Sequence, residues 1–237
     1  ELLERDAVLA ARVLKVVQSP FYAGRMSVRS LKQAVVRLGL KSLRDLVLDS
    51  AVNAKLFQSR GFGSEMATVM RHSTATAYLA RAVCLRAGID GEYAFMCGLF
   101  HDLGVAAALL VLEEMPEAQR QLPGAIWPAI SSLHGDAAAL VVRKWRLPGA
   151  LEGVVRFHHQ IDSDGITRQL TAAVRLADCL TGEIGLPLRV EGSDDLESNG
   201  TTADQARDAL GFDESDVAAL RVEARTVLNH LAEMGAT

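Results

Sequence analysis

The chain has 237 residues, of which 49% are hydrophobic and 23% charged, a composition that excludes a disordered chain and suits one large domain or two small ones. Its 25 basic and 29 acidic side chains leave a net charge of −4, without the basic excess that drives non-specific binding to nucleic-acid phosphates. The longest uninterrupted apolar run, Val105 to Leu112, falls short of the roughly eighteen residues that cross a bilayer, so no membrane partner is expected.

Helical periodicity begins with Val28, Leu31, Ala34, Val35 and Leu38, which recur at three- and four-residue steps opposite Arg29, Lys32 and Arg37. Ser27 is placed to cap that helix and Gly39 to end it. A second helix is expected from Ser42, boxed by Asp45, with Leu43, Val47, Ala51 or Ser50, Ala54 and Phe57 inward. Gly61 and Gly63 mark a break, and Ser64 is expected to cap a long helix over residues 64–86. After a turn at 88–91, the pattern predicts one apolar helix over 92–114, stopped by Pro116.

Shorter helices are expected over 125–132, 135–145 and 149–159, with Pro148 tolerated at the first turn of the last. Residues 167–184 read as a helix with Leu170, Ala173, Val174, Ala177 and Thr181 inward. The Gly-, Ser- and acid-rich stretch 185–200 reads as a mobile loop. Thr202 and Gln205 form a capping-box pattern, and Asp213 opens a last helix to about 234, whose stripe Val217, Leu220, Ala224, Val227 and Leu231 suits packing on the bundle or a dimer contact. With no strand-like alternation and no repeat, the expected fold is an all-α bundle with many short connections. The expected divisions are a helical block at 1–60, a helical core at 61–185, and a loop with C-terminal helices at 186–237.

Cys84, Cys97 and Cys179 are odd in number and sit among apolar neighbours, the pattern of buried free thiols in a reducing cytoplasm. Glu1, Glu4 and Asp6 argue against a signal peptide, and the missing initiator Met leads us to expect a piece of a longer polypeptide. Trp127 and Trp145 read as core anchors, His230 as a surface residue, and the turn Tyr22-Ala-Gly-Arg25 as an ordinary loop.

The chemistry lies with the other histidines. His72 shares an apolar face with Val69, Ala75, Thr76 and Leu79. His101 and Asp102 sit together between apolar runs in Gly-Leu-Phe-His-Asp-Leu-Gly. His134, the pair His158-His159, and Asp178 follow. Taken singly, each has an ordinary structural reading: a satisfied core histidine, a His–Asp hydrogen bond, a helix end, an ion pair between Asp178 and Arg175. Together, five imidazoles and two carboxylates in or beside apolar stripes are costly to bury unpaired, and one shared site satisfies them all. Imidazole and carboxylate serve zinc, iron and manganese alike, and two such ions sharing a carboxylate make a hydrolytic site.

At these residues the sequence resembles the HD superfamily of metal-dependent phosphohydrolases, whose pattern is a histidine, an adjacent His-Asp pair and a distal aspartate: here His72, His101-Asp102 and Asp178. His134 and His158-His159 match the additional ligands of the HD-GYP branch, which hydrolyses cyclic dinucleotides. The whole chain looks closer to the HDOD branch, through Ala10 to Leu14, Gln18 to Tyr22, Ser30 to Gly39 and Trp145-Arg-Leu-Pro148 ahead of the two histidines, over residues 5 to 185. The resemblance implies an HD-type helical core carrying an N-terminal helical subdomain. It also implies a bacterial signalling output module, most of whose relatives have lost HD ligands. This chain keeps the set. It departs from HD-GYP where Val105 replaces the lysine of His-Asp-x-Gly-Lys, removing a charge for a phosphate oxygen, and in lacking Gly-Tyr-Pro after His159.

The leading expectation is a cytoplasmic regulatory module acting through a protein partner or a fused sensor domain, with a divalent metal (Fe, Mn or Zn), or none, on His72, His101, Asp102, His134, His158, His159 and Asp178. The alternatives are a phosphohydrolase of a nucleotide or cyclic dinucleotide in which Asp102 is catalytic, and a small-molecule or redox sensor using iron. A homodimer and a nucleotide ligand stay open.

Overall fold

A computed structural model describes residues 13–17, 22, 28, 30–55, 59–91, 93–116, 123–161, 165–188 and 201–234. Among these, no strand occurs; residues 13–17 are helical. The helices that follow are α1 Leu31–Lys55, α2 Gly63–Arg86, α3 Ala94–Phe100, α4 Leu103–Glu114, α5 Pro123–Lys144, α6 Gly149–Arg156, α7 Gly165–Glu183, α8 Ala203–Leu210 and α9 Glu214–Met234. The all-α architecture is the one that periodicity predicts.

α2 is the axis of the molecule. From His72 to Ala80 every residue is buried, because small Ser, Thr and Ala side chains let neighbours approach from several sides. It packs against α3, α7 and α9, while α4 packs on α5, α5 on α6, and α7 also meets α3, α6 and α8. α3 comes so close that a Cβ on Gly98 would stand 2.6 Å from the Ala77 Cα. One large apolar cluster fills this bundle, and its fully buried Phe and Leu side chains (Phe95, Phe100, Leu79, Leu99, Leu176) each contribute about 1.5–3 kcal/mol. A second, smaller cluster of Val13, Val16, Val17, Val28, Ala34, Leu38 and Leu46 belongs to the N-terminal helices.

Several local expectations are corrected. Gly39, with φ 74° and ψ 164°, is non-helical and ends the first helical stretch as expected, so α1 is two helices meeting at a kink there. The cap at the start of α1 is Ser30, whose hydroxyl accepts from the Gln33 N–H at 3.2 Å; Ser27 lies outside the described residues. Past the kink the fully buried side chains are Asp45, Leu46 and Asp49, while Leu43 packs half-buried on the N-terminal cluster and Val47 is half-buried. Asp45 is neutralised by Arg44 and by Arg81 of α2, both at 3.1 Å, and Asp49 accepts from the Thr74 hydroxyl at 2.9 Å. The side chains of 51–57 lie outside the described residues. Ser64 does not cap α2; its hydroxyl donates to Glu65, and Ser59 serves the Phe62 N–H instead.

The apolar stretch 92–114 is two helices, broken at His101-Asp102, where Asp102 adopts φ −101° and ψ 15°. In the other direction, 125–132 and 135–145 are one helix, α5, running through Gly135. That glycine marks a close approach, since a Cβ there would meet the Arg156 carbonyl oxygen at 2.5 Å. α6 stops at Arg156, so His158 and His159 follow it in a turn. On α7 and α9 the predicted stripes are buried throughout, and α9 lies on α2 and α7. The Thr202–Gln205 capping box is present. Most of the expected loop, 189–200, lies outside the described residues.

His230 is buried, not on the surface, with its ring edge-on to Tyr22 and Tyr78 at 5.7 and 5.3 Å. Trp127 is a core anchor, but Trp145 is 44% exposed, with its ring edge-on to Phe100 of the core. Averaged over a window, 94–114 and 125–144 are apolar enough to span a bilayer by length and composition, although polar residues interrupt both stretches. The first is 78% and the second 33% buried within the fold. Cys84, Cys97 and Cys179 are free thiols, and burial pushes the Cys84 thiol up to about 12, where it is unreactive.

Candidate metal centre

The break between α3 and α4 is what builds the site. At 101–102 the chain changes direction, and both side chains turn into the bundle instead of lying one residue apart around a continuous helix. The Asp102 carboxylate is spent on histidines and makes no cap hydrogen bond to α4. α2 brings His72, α5 brings His134, the turn after α6 brings His158 and His159, and α7 brings Asp178. All seven sequence-predicted residues converge. Six are buried, and His159 is the most exposed of the set.

Four of the rings are fixed by a backbone carbonyl at Nδ1: His72 by Leu186 at 2.8 Å, His101 by Gly98 at 2.7 Å, His134 by Ser131 at 2.7 Å and His158 by Val155 at 2.8 Å. A carbonyl only accepts, so each Nδ1 carries the hydrogen, and each ring when neutral aims the lone pair of Nε2 inward. This is how histidine ligands are oriented in metal sites. The inward nitrogens then crowd one another. His72 and His101 Nε2 stand 3.3 Å apart, His134 and His158 3.2 Å, and His159 and His134 3.1 Å. Two lone pairs face each other at such distances only with a proton or a cation between them.

Asp102 lies between two groups of donors. Its Oδ2 is 2.9 Å from His101 Nε2 and 3.4 Å from His72 Nε2. Its Oδ1 is 3.5 Å from both His134 and His158 Nε2, too long for a good hydrogen bond, and is buried without a partner. Asp178 Oδ1 completes the first group, 3.1 Å from His72 and 3.9 Å from His101. The first group is therefore His72, His101, Asp102 and Asp178; the second is Asp102, His134, His158 and His159. Within each of the sets His72–His101–Asp102 and Asp102–His134–His158–His159, donor atoms lie within 4.8 Å of one another. A buried His/Asp group of this kind could hold a metal ion. The orphaned Asp102 oxygen and the facing lone pairs fit two cations sharing that carboxylate.

Electrostatics agree. Burial alone would lower His72, but the hydrogen bond and charge of Asp178, with the charge of Asp102, raise it from 6.5 to about 9. His101 is raised too, against its burial, chiefly by Asp102. Burial would raise Asp102 and Asp178, yet His101 and His72, respectively, hold them well below the usual carboxylate range. In the second group, burial lowers His158, and burial with the His158 charge lowers His159 to about 2. The first group thus binds a proton where a cation fits, and His158 and His159 are neutral.

A pH dependence follows. The raised His72 contributes stability to the metal-free fold that is fully present below its unfolded value near 6.5 and lost as pH rises through about 9. A metal must displace that proton. Metal binding at pH 7.5 should release at least one proton, and affinity should climb about tenfold per pH unit for each proton until pH 9. Titration calorimetry in buffers of different ionisation enthalpy measures this.

Sequence reasoning missed the groups that act through backbone. Gly104 sits where a Cβ would be 1.9 Å from the His134 carbonyl oxygen, so only glycine lets α4 and α5 meet at the site. Its signal was in the motif itself, as the glycine two residues after Asp102. Thr201 accepts from Arg175 Nε and donates to the His159 carbonyl; nothing in its residue type announces this.

A model of the HDOD domain matches residues 1–161. Over 170 residues the chain is 27% identical to an uncharacterized protein of Treponema pallidum (strain Nichols), a match covering 68% of this chain and 33% of that protein. The chain therefore spans about a third of that relative's length. Among solved structures it resembles a candidate metal-dependent phosphohydrolase from Shewanella amazonensis SB2B, with TM-score 0.70 and 19% identity, covering 98% of this chain and 82% of that one. It also resembles a candidate signal transduction protein from Marinobacter aquaeolei VT8, with TM-score 0.61 and 19% identity, covering 99% and 52%. At these identities the structures speak for the fold alone, and it is the HD-type helical fold.

Proposed function

The chain belongs to the HDOD domain family, and on that premise we propose that it is a signal-transduction output module whose HD-type centre binds divalent metal without robust catalysis. His72, His101 and Asp178 would hold one ion and His134, His158 and His159 the other, with Asp102 shared between the two sets. When bound, such ions supply Lewis acidity and a site for a water. The protein's own contribution is orientation: four carbonyls fix the rings, and Arg175 fixes Asp178 with a 2.6 Å bond. The occupant of the regulatory role is a protein partner or a fused domain, which fits a chain that spans a third of its Treponema relative.

One observation carries the low-catalysis half of this reading. Val105, where a phosphate-binding lysine stands in HD-GYP proteins, is fully buried in the apolar core. Among the described residues, the cation that pairs with a ligand carboxylate is Arg175, and it is buried against Asp178 and Thr201. That arginine is thus engaged within the fold rather than offered to a metal-bound phosphate.

The retained ligand set supports a second reading, a phosphohydrolase. The test is turnover of a generic phosphodiester and of cyclic dinucleotides by metal-loaded protein. Rates indistinguishable from those of Asp102→Ala are expected. Turnover that Asp102→Ala abolishes would make the chain an enzyme.

A further inference from the structure

One side chain that is not a ligand is linked to both halves of the site, directly to one and through Thr201 to the other. The Arg175 guanidinium is 2% exposed and lies one helical turn before Asp178. Its terminal nitrogen donates to Asp178 Oδ2 at 2.6 Å, and its Nε donates to the Thr201 carbonyl at 2.6 Å. Thr201 in turn donates its N–H to the His159 carbonyl at 2.8 Å, and its hydroxyl accepts from the Ile161 N–H at 3.3 Å. The next residue, Thr202, caps α8 through a full capping box. Asp178 belongs to the first ligand group and His159 to the second, so Thr201 closes a polar ring around both.

We propose that Arg175 is a positioning residue that, through the Thr201 carbonyl, makes occupancy of the metal centre and docking of α8 one coupled event. This rests on the metal-binding reading above. The guanidinium is planar and presents its donors in a fixed fork. A carboxylate held by an ion at Oδ1 holds that fork at Oδ2, and the fork then presents Nε to residue 201. The same residue restrains the backbone of the second ligand pair. Coupling of this kind is reciprocal: whatever fixes α8 tightens metal binding, and a partner that draws α8 away loosens it by the same factor. α8 packs directly on α7, the helix that carries both Arg175 and Asp178. The C-terminal helices thereby become the route by which a partner reads or sets the metal state.

The test is cobalt(II) titration of the whole chain, followed by the visible d–d bands and by amide hydrogen exchange at Ile161, Thr201 and residues 202–205. In the wild type, cobalt should slow exchange of the Ile161 and Thr201 amides at least about tenfold. Arg175→Lys keeps the charge but has no fork. It should bind the first cobalt about 10–100-fold more weakly, the range for loss of an outer-shell partner, with altered d–d bands, and cobalt should no longer protect Thr201. A lysine variant with wild-type affinity and wild-type protection would overturn the proposal. So would a wild type that takes up two cobalt ions with no change at Thr201, and in that case the metal reading survives. A wild type that takes up no cobalt overturns the metal reading and the coupling together. The wild-type comparison needs no variant, so a misfolded Arg175→Lys does not blunt it.

Discussion

Asp102→Asn is expected to strip both ions from the protein, lowering metal affinity by at least about a hundredfold, the upper end of what even outer-shell losses cost. Asparagine keeps the shape of the side chain, so the effect isolates charge. Asp102 is the group shared by the two ligand sets, with Oδ2 toward His101 and His72 and Oδ1 toward His134 and His158. Removing its charge leaves five imidazoles and one carboxylate to hold two divalent cations in a buried pocket, which that charge balance cannot do. A variant of any single histidine should lose one ion preferentially; this one should lose both. Elemental analysis of the purified variant against wild type reads the difference directly.

Gly104→Ala should be the most damaging single methyl among the described glycines. Helix propensity alone predicts a gain of about 1 kcal/mol, because the position is helical. Packing predicts the opposite. The new Cβ would lie 1.9 Å from the His134 carbonyl oxygen, 2.7 Å from its carbon and 2.8 Å from its Cα. These are backbone atoms, with no side-chain tip to swing aside, so α4 and α5 must separate. A loss of about 3 kcal/mol in urea unfolding is expected, at the upper end of ordinary overpacking. Because His134 rides on the displaced helix, the second ion should be lost before the first. Gly149→Ala is the control: nothing lies within 4 Å of a Cβ there, and a neutral or stabilising result is expected.

The stripes of α7 and α9 were legible because each is long, amphipathic and packed by aliphatic side chains, so period and burial coincide. The stretch of α1 past Gly39 was not legible, for the complementary reason. Its buried face holds Asp45 and Asp49, whose partners Arg81 and Thr74 come from α2, and periodicity counts only apolar residues. The break at His101-Asp102 was hidden inside an apolar run, where either one helix or two satisfies the pattern; packing of both side chains into a shared pocket decides for two. Gly135 signalled a helix end but serves a close contact with α6. All seven ligand-type residues were legible, because histidine and aspartate on apolar faces are conspicuous. The carbonyls of Gly98, Ser131, Val155, Leu186 and Thr201 were not, since any residue carries one.

Sharing of Asp102 by two cations is the central feature of the proposed centre. Crystals of cobalt-loaded protein, with anomalous scattering recorded at the cobalt edge, test it most directly. Two peaks are predicted, about 3.5–4 Å apart, one among His72, His101 and Asp178 and the other among His134, His158 and His159, with Asp102 between them. No peak in this pocket at saturating cobalt, or cobalt bound only elsewhere on the chain, would contradict it.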